Sequence, residues 1–183
     1  MIPLRNKRIT GSAAAFLVLL AGFACAGGSL PTYQFYRFTP TALKGGGGPV
    51  QISEFEMRVG GAPVPGATAA NAAGTSPGGE GPELAVDGDT NTKWLNFDGA
   101  GGAILVLDFG APMPVDGYRF ATANDFPERD PVSWTIEGSN SAFGTYDLLD
   151  TVVDYPTTDA RFTYEQEFLL ARPKQRHNQR SLL

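Results

Sequence analysis

Short stretches of alternating apolar and polar residues dominate the chain after its N-terminal segment. Residues 134–137, Trp-Thr-Ile-Glu, alternate as a strand with one buried face does. Residues 104–107 are continuously apolar, which predicts a central strand covered on both faces. Gly, Pro, Asn and Asp separate these stretches, as turns between strands require. The pattern predicts strands at residues 33–38, 50–59, 103–109, 117–123, 133–137, 146–153 and 160–168.

Seven or so short strands with turn residues between them predict an all-β sandwich or barrel. Residues 60–83 fit this pattern less well, because they are Gly, Ala and Pro with almost no large side chains. A coil of that length is unusual inside a compact domain, so it is either a functional loop or a linker. A linker would leave the first two strands as an isolated hairpin, which is marginal in water. We therefore expect the chain to return to the same domain.

The first 26 residues have the features of a secretory signal peptide. A basic start precedes the apolar residues 13–24, and Ala24-Cys25-Ala26 gives a small-x-small cleavage signal. We expect cleavage and a secreted, extracellular protein; an uncleaved membrane anchor is the alternative. Residues 27–168 then form the domain, and residues 169–183 are predicted to be a disordered basic tail.

The composition of the remaining chain excludes several kinds of chemistry. Cleavage removes the only cysteine, and His177, the only histidine, lies in the polar tail. Catalytic Cys/His or Ser/His pairs and zinc sites therefore lack their parts. Residues 27–171 hold seven basic and nineteen acidic residues, a net charge of −12. Phosphate backbones and anionic lipids repel such a domain, so we expect neither nucleic-acid binding nor membrane insertion after cleavage.

The sharpest local motif is residues 87–92, Asp-Gly-Asp-Thr-Asn-Thr. It places two carboxylates, an amide and two hydroxyls within six residues, and Gly88 lets the chain fold so that oxygens converge. Ca²⁺ takes about six to eight such oxygens. An EF-hand is rejected, because Thr92 replaces its turn glycine and Asp98 its bidentate glutamate. The motif is either a calcium loop or an Asx-rich turn that binds nothing.

A further carboxylate is predicted to approach this loop. In residues 50–59 the apolar positions shift by one near Glu54, as a β-bulge would cause. Bulges re-aim side chains, so we expect Glu54 to turn toward residues 87–92. An ordinary exposed strand glutamate is the alternative.

Residues 85–89, Ala-Val-Asp-Gly-Asp, followed by Thr92 and Trp94, resemble the signature of the discoidin-like (F5/8 type C, galactose-binding-like) family. Other segments match that family in serial order, namely residues 104–110, 118–125, 127–131, 133–140 and 148–150. The resemblance covers roughly residues 33–168 and implies an antiparallel, jelly-roll β-sandwich that binds its ligand through loops. It also implies a structural Ca²⁺ site, whose ligands would be the backbone carbonyl of Ala85 and the side chains of Asp87, Asp89, Thr92 and Glu54.

The chain departs from the family pattern in the order of its segments. Residues 36–38 and 51–54 resemble segments that normally close such a domain, yet here they come first. Either they complete the same sandwich in permuted order, or the chain is one part of a tandem array. We favour the first alternative because unpaired edge strands are a hazard.

Four residues are candidates for contact with a ligand. Phe97, Phe126 and Tyr146 lie near Gly, Pro or Asn, and an exposed aromatic ring packs against the apolar side of a sugar. Arg129, between two acidic residues, is either a ligand-gripping guanidinium or an internal ion pair that shapes its loop. The two tryptophans stand at strand positions and are predicted to be core residues.

These observations predict a secreted, non-catalytic module that binds carbohydrate or glycoprotein at the cell surface or in the matrix. The alternative is a protein–protein adhesion or assembly module that uses the same loops without a sugar. Competition by free monosaccharide distinguishes the two. A glycosidase would need paired carboxylates, and although acidic residues are abundant, no catalytic motif singles out a pair. We therefore expect no enzymatic activity.

Overall fold

The computed structural model describes residues 29–171; the predicted signal peptide and residues 172–183 lie outside this range. Two short 3-10 turns span Pro82–Ala85 and Pro127–Arg129. Within the described residues, no helix is long and apolar enough to cross a membrane. The strands are β1 (Thr32–Leu43), β2 (Val50–Ile52), β3 (Glu54–Val59), β4 (Ala62–Pro63), β5 (Thr68–Ala73), β6 (Trp94–Asn96), β7 (Ile104–Pro114), β8 (Gly117–Ala121), β9 (Pro131–Ser139), β10 (Asp147–Val152) and β11 (Phe168–Leu169).

The strands form two larger sheets and one small one. The five-stranded sheet has the order β10-β9-β1-β7-β5, and the four-stranded sheet has the order β11-β8-β3-β4. Strands β2 and β6 pair separately. Every strand pairing is antiparallel. The predicted all-β, antiparallel β-sandwich is thereby confirmed.

Aromatic side chains from both sheets fill the space between them. Phe38 of β1 lies 4.9 Å, between ring centroids, from Phe55 of β3. Trp134 of β9 meets Phe120 of β8 edge to face at 5.3 Å, and its Nε1 donates a 2.8 Å hydrogen bond to the Tyr118 hydroxyl. Each such ring contributes about 1.5–3 kcal/mol by its burial. Both tryptophans are fully buried, which confirms their predicted place in the core.

The N-terminal strands belong to the same sandwich as the rest of the chain. Strand β1 lies between β9 and β7, so that Phe38 pairs with Ile136 on one side and Leu105 on the other. Strand β3 pairs with β8 in the opposite sheet. Of the two interpretations of the N-terminal segments, the structure supports the one in which they complete this sandwich.

A break at Ser53 divides the predicted strand at residues 50–59 into β2 and β3. The backbone N–H of Ser53 donates to the carbonyl of Ala121, and its hydroxyl donates to the carbonyl of Thr122, both at 2.9 Å. The irregularity predicted near Glu54 is therefore present, although it is a change of sheet and not a bulge within one strand. Consequently β2 pairs with β6 while β3 pairs with β8.

Three expectations about individual segments were wrong. Residues 60–83 are not a coil, since they contain β4 and β5, and β5 forms the edge of the larger sheet. Residues 160–168 are largely irregular because Phe162 adopts a left-handed φ of 55°, which ends an extended conformation. Residues 104–107 are not covered on both faces: Leu105 and Leu107 are buried, whereas the alternating residues are partly exposed. Strand β6 was not among the predicted strands, although Trp94 was placed at a strand position.

The C-terminal limit of the domain also differs from the prediction. Leu169 pairs with Gly117, and Leu170 is only 6% exposed. The sandwich therefore continues past residue 168, where the tail was predicted to begin.

Deletion of residues 1–59 should abolish folding. It removes β1 from the middle of the five-stranded sheet and leaves β7 and β9 without the strand that joins them. We expect the truncated chain to show no cooperative thermal transition by near-ultraviolet circular dichroism, with the full chain as reference. A truncated chain that melts at the temperature of the full chain would show that these residues lie outside the sandwich.

Candidate functional site

The predicted site residues occupy three separate places. Of the five predicted metal ligands, the side chains of Glu54, Asp87 and Thr92 lie together where the 82–92 segment passes β3. The Asp89 carboxylate bonds to Asn91 instead, and Ala85 lies at the base of the loop. A second group lies on what we call the loop surface, formed by residues 44–49, 97–102 and 124–130, which carries Phe97, Phe126 and Arg129. Tyr146 stands apart from both.

The side chains of the 87–92 loop hold its own backbone in place. The carboxylate of Asp87 accepts a 2.8 Å hydrogen bond from the backbone N–H of Asp89 and another from the hydroxyl of Thr92. The carboxylate of Asp89, which is exposed, accepts from the backbone and side-chain nitrogens of Asn91. Gly88 has a φ of 81°, which favours glycine. These contacts are Asx turns, as both interpretations of the motif require.

Glu54 reaches this loop from the start of β3. Its side chain is 2% exposed, and its Oε1 accepts a 2.9 Å hydrogen bond from the backbone N–H of Gly88. Burial and the neighbouring carboxylate of Asp87 raise the pKa of Glu54 to about 8. The buried carboxylate of Glu54 lies beside the exposed carboxylate of Asp87, and this proximity disfavours ionisation of Glu54.

Several oxygen atoms surround the hydroxyl of Thr92. This hydroxyl lies 2.8 Å from Asp87 Oδ2, 2.9 Å from the Asp89 carbonyl and 3.5 Å from the Leu84 carbonyl. Ala85 is fully buried at the base of the loop. In the part of the chain that the structure describes, no three His, Cys, Asp or Glu side chains are grouped to hold a metal.

The loop surface is built around the turn at residues 44–49. The backbone N–H of Gly45 donates to the carbonyl of Glu128 at 2.8 Å, and that of Lys44 to the carbonyl of Asp130 at 3.0 Å. On the other side, Gly99 packs so closely on the carbonyl of Gly48 that a Cβ at Gly99, which has a φ of 61°, would collide with it. The turn therefore joins the two loops that carry the predicted ligand residues.

Two charged pairs hold the 124–130 loop in place. The ammonium of Lys93, a residue only 7% exposed, lies 2.8 Å from Asp125 Oδ1 and 3.1 Å from Gln51 Oε1. Although burial opposes it, Lys93 lowers the pKa of Asp125. Arg161 forms two hydrogen bonds, of 2.5 and 3.1 Å, to the fully buried carboxylate of Asp130. Burial outweighs Arg161 and raises the pKa of Asp130.

Sequence reasoning missed both pairs. Lys93 and Asp125 are 32 residues apart, and Arg161 and Asp130 are 31 residues apart. The only local signal was that Lys93 and Arg161 are each the single basic residue of an acidic segment.

The loop surface presents two exposed aromatic rings. Phe97 is 54% exposed and Phe126 is 48% exposed, and Phe126 has a left-handed φ of 41°. The guanidinium carbon of Arg129 lies 4.1 Å from the centroid of the Phe126 ring, a cation–π contact. Within residues 29–171, Arg129 forms no salt bridge within 4.0 Å, although its charge, with that of Lys93, helps to lower the pKa of Asp125 against the effect of burial.

Tyr146 does not belong to the loop surface. It follows β9, whereas Arg129 precedes it, and the ends of this nine-residue strand are about 26 Å apart. Its ring is stacked with Arg37, whose guanidinium carbon lies 3.7 Å from the ring centroid. The four predicted ligand residues therefore form two surfaces, because the strand between the loops separates them.

Comparison with known proteins is consistent with this architecture. The F5/8 type C domain model matches residues 67–171, more than half of the chain, and so includes β5 to β11. The peptide-N(4)-(N-acetyl-beta-glucosaminyl)asparagine amidase of Arabidopsis thaliana is 38% identical over 68 residues, which are 36% of this chain and 9% of that protein. No solved structure matches the chain. The chain belongs to the F5/8 type C (discoidin-like) family, whose domains are generally non-catalytic modules that bind carbohydrates or proteins.

Proposed function

We propose that this protein is a secreted, non-catalytic module that binds neutral carbohydrate on glycoproteins through its loop surface. The observation that carries the proposal is the exposed ring of Phe126, backed by the guanidinium of Arg129. Unlike Phe162, which is also exposed on a left-handed backbone, Phe126 has a guanidinium against its ring and shares its surface with a second exposed ring, Phe97. Secretion is inferred from the N-terminal segment of the sequence.

The chemistry of this surface suits a sugar. An aromatic face packs against the C–H face of a pyranose, while a guanidinium donates hydrogen bonds to hydroxyl oxygens. The buried pairs of Lys93 with Asp125 and Arg161 with Asp130 hold the loop in one conformation. A surface ordered in advance loses less entropy when a ligand binds. The net charge of −12 over residues 27–171 favours neutral sugars over anionic ones.

The similarity to the plant amidase supports a glycan ligand. Its name describes an amidase acting on N-acetyl-beta-glucosaminyl asparagine in a peptide. Because the match covers 9% of that protein, it supports a shared domain and not a shared activity. A domain that recognises glycan would suit an enzyme that acts on a sugar-bearing asparagine. We therefore extend to this chain the binding of glycan, without hydrolysis.

A glycan-array screen of the protein should detect a class of neutral glycans. We expect Phe126→Ala to weaken this binding at least tenfold, about 1.4 kcal/mol, because it removes the stacking ring. Phe162→Ala is the matched control, since Phe162 is also exposed (43%) and also has a positive φ, of 55°. The control should bind as the unaltered protein does.

Silence on the array from folded protein would contradict the carbohydrate assignment. It would favour the protein–protein module, which uses the same loops. Turnover of chromogenic glycosides that one Asp or Glu substitution abolishes would contradict the non-catalytic assignment.

We also propose that the domain holds a structural Ca²⁺ at the junction of β3 and the 87–92 loop. The residues that would hold it are the buried Glu54, with Asp87, Asp89, Thr92 and the carbonyl of Ala85. The support is the pair of facing carboxylates and the neutral oxygens beside them. Bound calcium would supply positive charge and tie β3 to the loop.

Calcium should raise the melting temperature with the logarithm of its free concentration, because it binds the folded state alone. At about 100 times the dissociation constant the gain is roughly 2.7 kcal/mol. Asp87→Ala should remove most of the shift measured by differential scanning fluorimetry against a chelator. Asp98→Ala, an exposed acid of the loop surface, is the control and should keep it. An undiminished shift in Asp87→Ala would place the metal elsewhere.

A further inference from the structure

The outer face of the five-stranded sheet carries an apolar groove of about 300 Å³. Ala70 of β5 and Val106 of β7 are directly paired and form its floor together with Phe35 of β1. They lie on the face opposite the core, because Leu105 and Leu107, the neighbours of Val106, are the buried residues of β7. The volume is at the lower end of small-molecule sites, which are roughly 300–1,000 Å³.

An aromatic wall overhangs this floor. Tyr146 and Phe143 come from the connection between β9 and β10, and both line the groove. The ring of Tyr146 is held by Arg37, which lies against it at 3.7 Å and pairs with Glu137 at 3.5 Å. The side chain of Phe143 is fully exposed. The two rings form an exposed apolar patch, which packing of the core does not explain and which marks an interaction site.

One polar group at the rim has an open acceptor position. Asp108 Oδ1 accepts hydrogen bonds from the backbone N–H of Gly110, at 2.7 Å, and from Gln34 Nε2, at 3.0 Å. No donor from residues 29–171 reaches Asp108 Oδ2. Because Arg37 is balanced by Glu137, Asp108 leaves the rim acidic. The rim therefore disfavours an anionic ligand, and the open acceptor position suits a ligand that carries an N–H donor.

We propose that this groove is a second binding site, specific for a 2-acetamido sugar. The acetyl methyl group lies on the floor of Ala70 and Val106, the amide N–H donates to Asp108, and the C–H face of the ring packs against Tyr146 and Phe143. This inference depends on the proposed carbohydrate function and adds to it a separate site and a class of sugar. The groove has room for one sugar residue, so the site recognises a terminal N-acetylhexosamine.

A titration with two disaccharides tests the proposal. N,N′-diacetylchitobiose and cellobiose share a linkage and differ in having acetamido or hydroxyl groups. By saturation-transfer NMR we expect the acetyl methyl protons of the first to be the most strongly saturated, and its dissociation constant to be at least tenfold lower. Ala70→Leu fills the groove without removing a contact and should weaken this binding at least tenfold. Ala62→Leu, at an exposed alanine of β4, is the matched control and should not.

The outcomes separate this inference from the proposed function. Equal affinity for cellobiose would overturn the acetamido assignment. Unchanged binding by Ala70→Leu, with loss in Phe126→Ala, would place the sugar on the loop surface alone; the second site would then be wrong and the proposed function would stand. If folded protein binds neither these disaccharides nor any glycan of the array, both are wrong.

Discussion

The hydrogen bonds of Ser53 to the end of β8 set the geometry of both loop regions. At Ser53 the chain leaves the small sheet and enters the four-stranded sheet. The side chains before and after Ser53 therefore contact different loops. Gln51, before it, bonds to Lys93 and to the backbone carbonyl of Asp125 below the loop surface. Glu54, after it, bonds to Gly88 in the acidic loop. A shift of register here would displace both contacts at once.

The sequence was sufficient for the fold class and for the irregularity near Glu54, because a one-residue shift in an alternating pattern has few structural explanations. It was insufficient for β5, whose alanines show no alternation in hydrophobicity; its register is set by pairing with β7. It was misleading at residues 160–168, where an apparent strand is interrupted by Phe162 and by the bonds of Arg161 to Asp130. Such long-range charged pairs leave no local pattern.

The site residues were predictable by type but not by grouping. Phe97, Phe126 and Tyr146 are all near turn residues, and the sequence could not show that β9 separates the last of them from the others. The structure reveals a common device in the two surfaces: an arginine lies against an aromatic ring, Arg129 on Phe126 and Arg37 on Tyr146. Each contact orders a ring and leaves a guanidinium in reach of a ligand. Two surfaces at opposite ends of one strand would let a single domain engage two sugars, and simultaneous engagement raises the apparent affinity.

A two-dimensional ¹H–¹⁵N NMR titration of the protein with N,N′-diacetylchitobiose shows whether the arginine-backed rings of Phe126 and Tyr146 bind neutral sugar. We expect the shifted amides to cluster in residues 97–102 and 124–130, and in residues 142–146 with their neighbours Ala70 and Val106. If the shifts are confined to the four-stranded sheet, or if saturating sugar causes none, these rings do not bind neutral sugar.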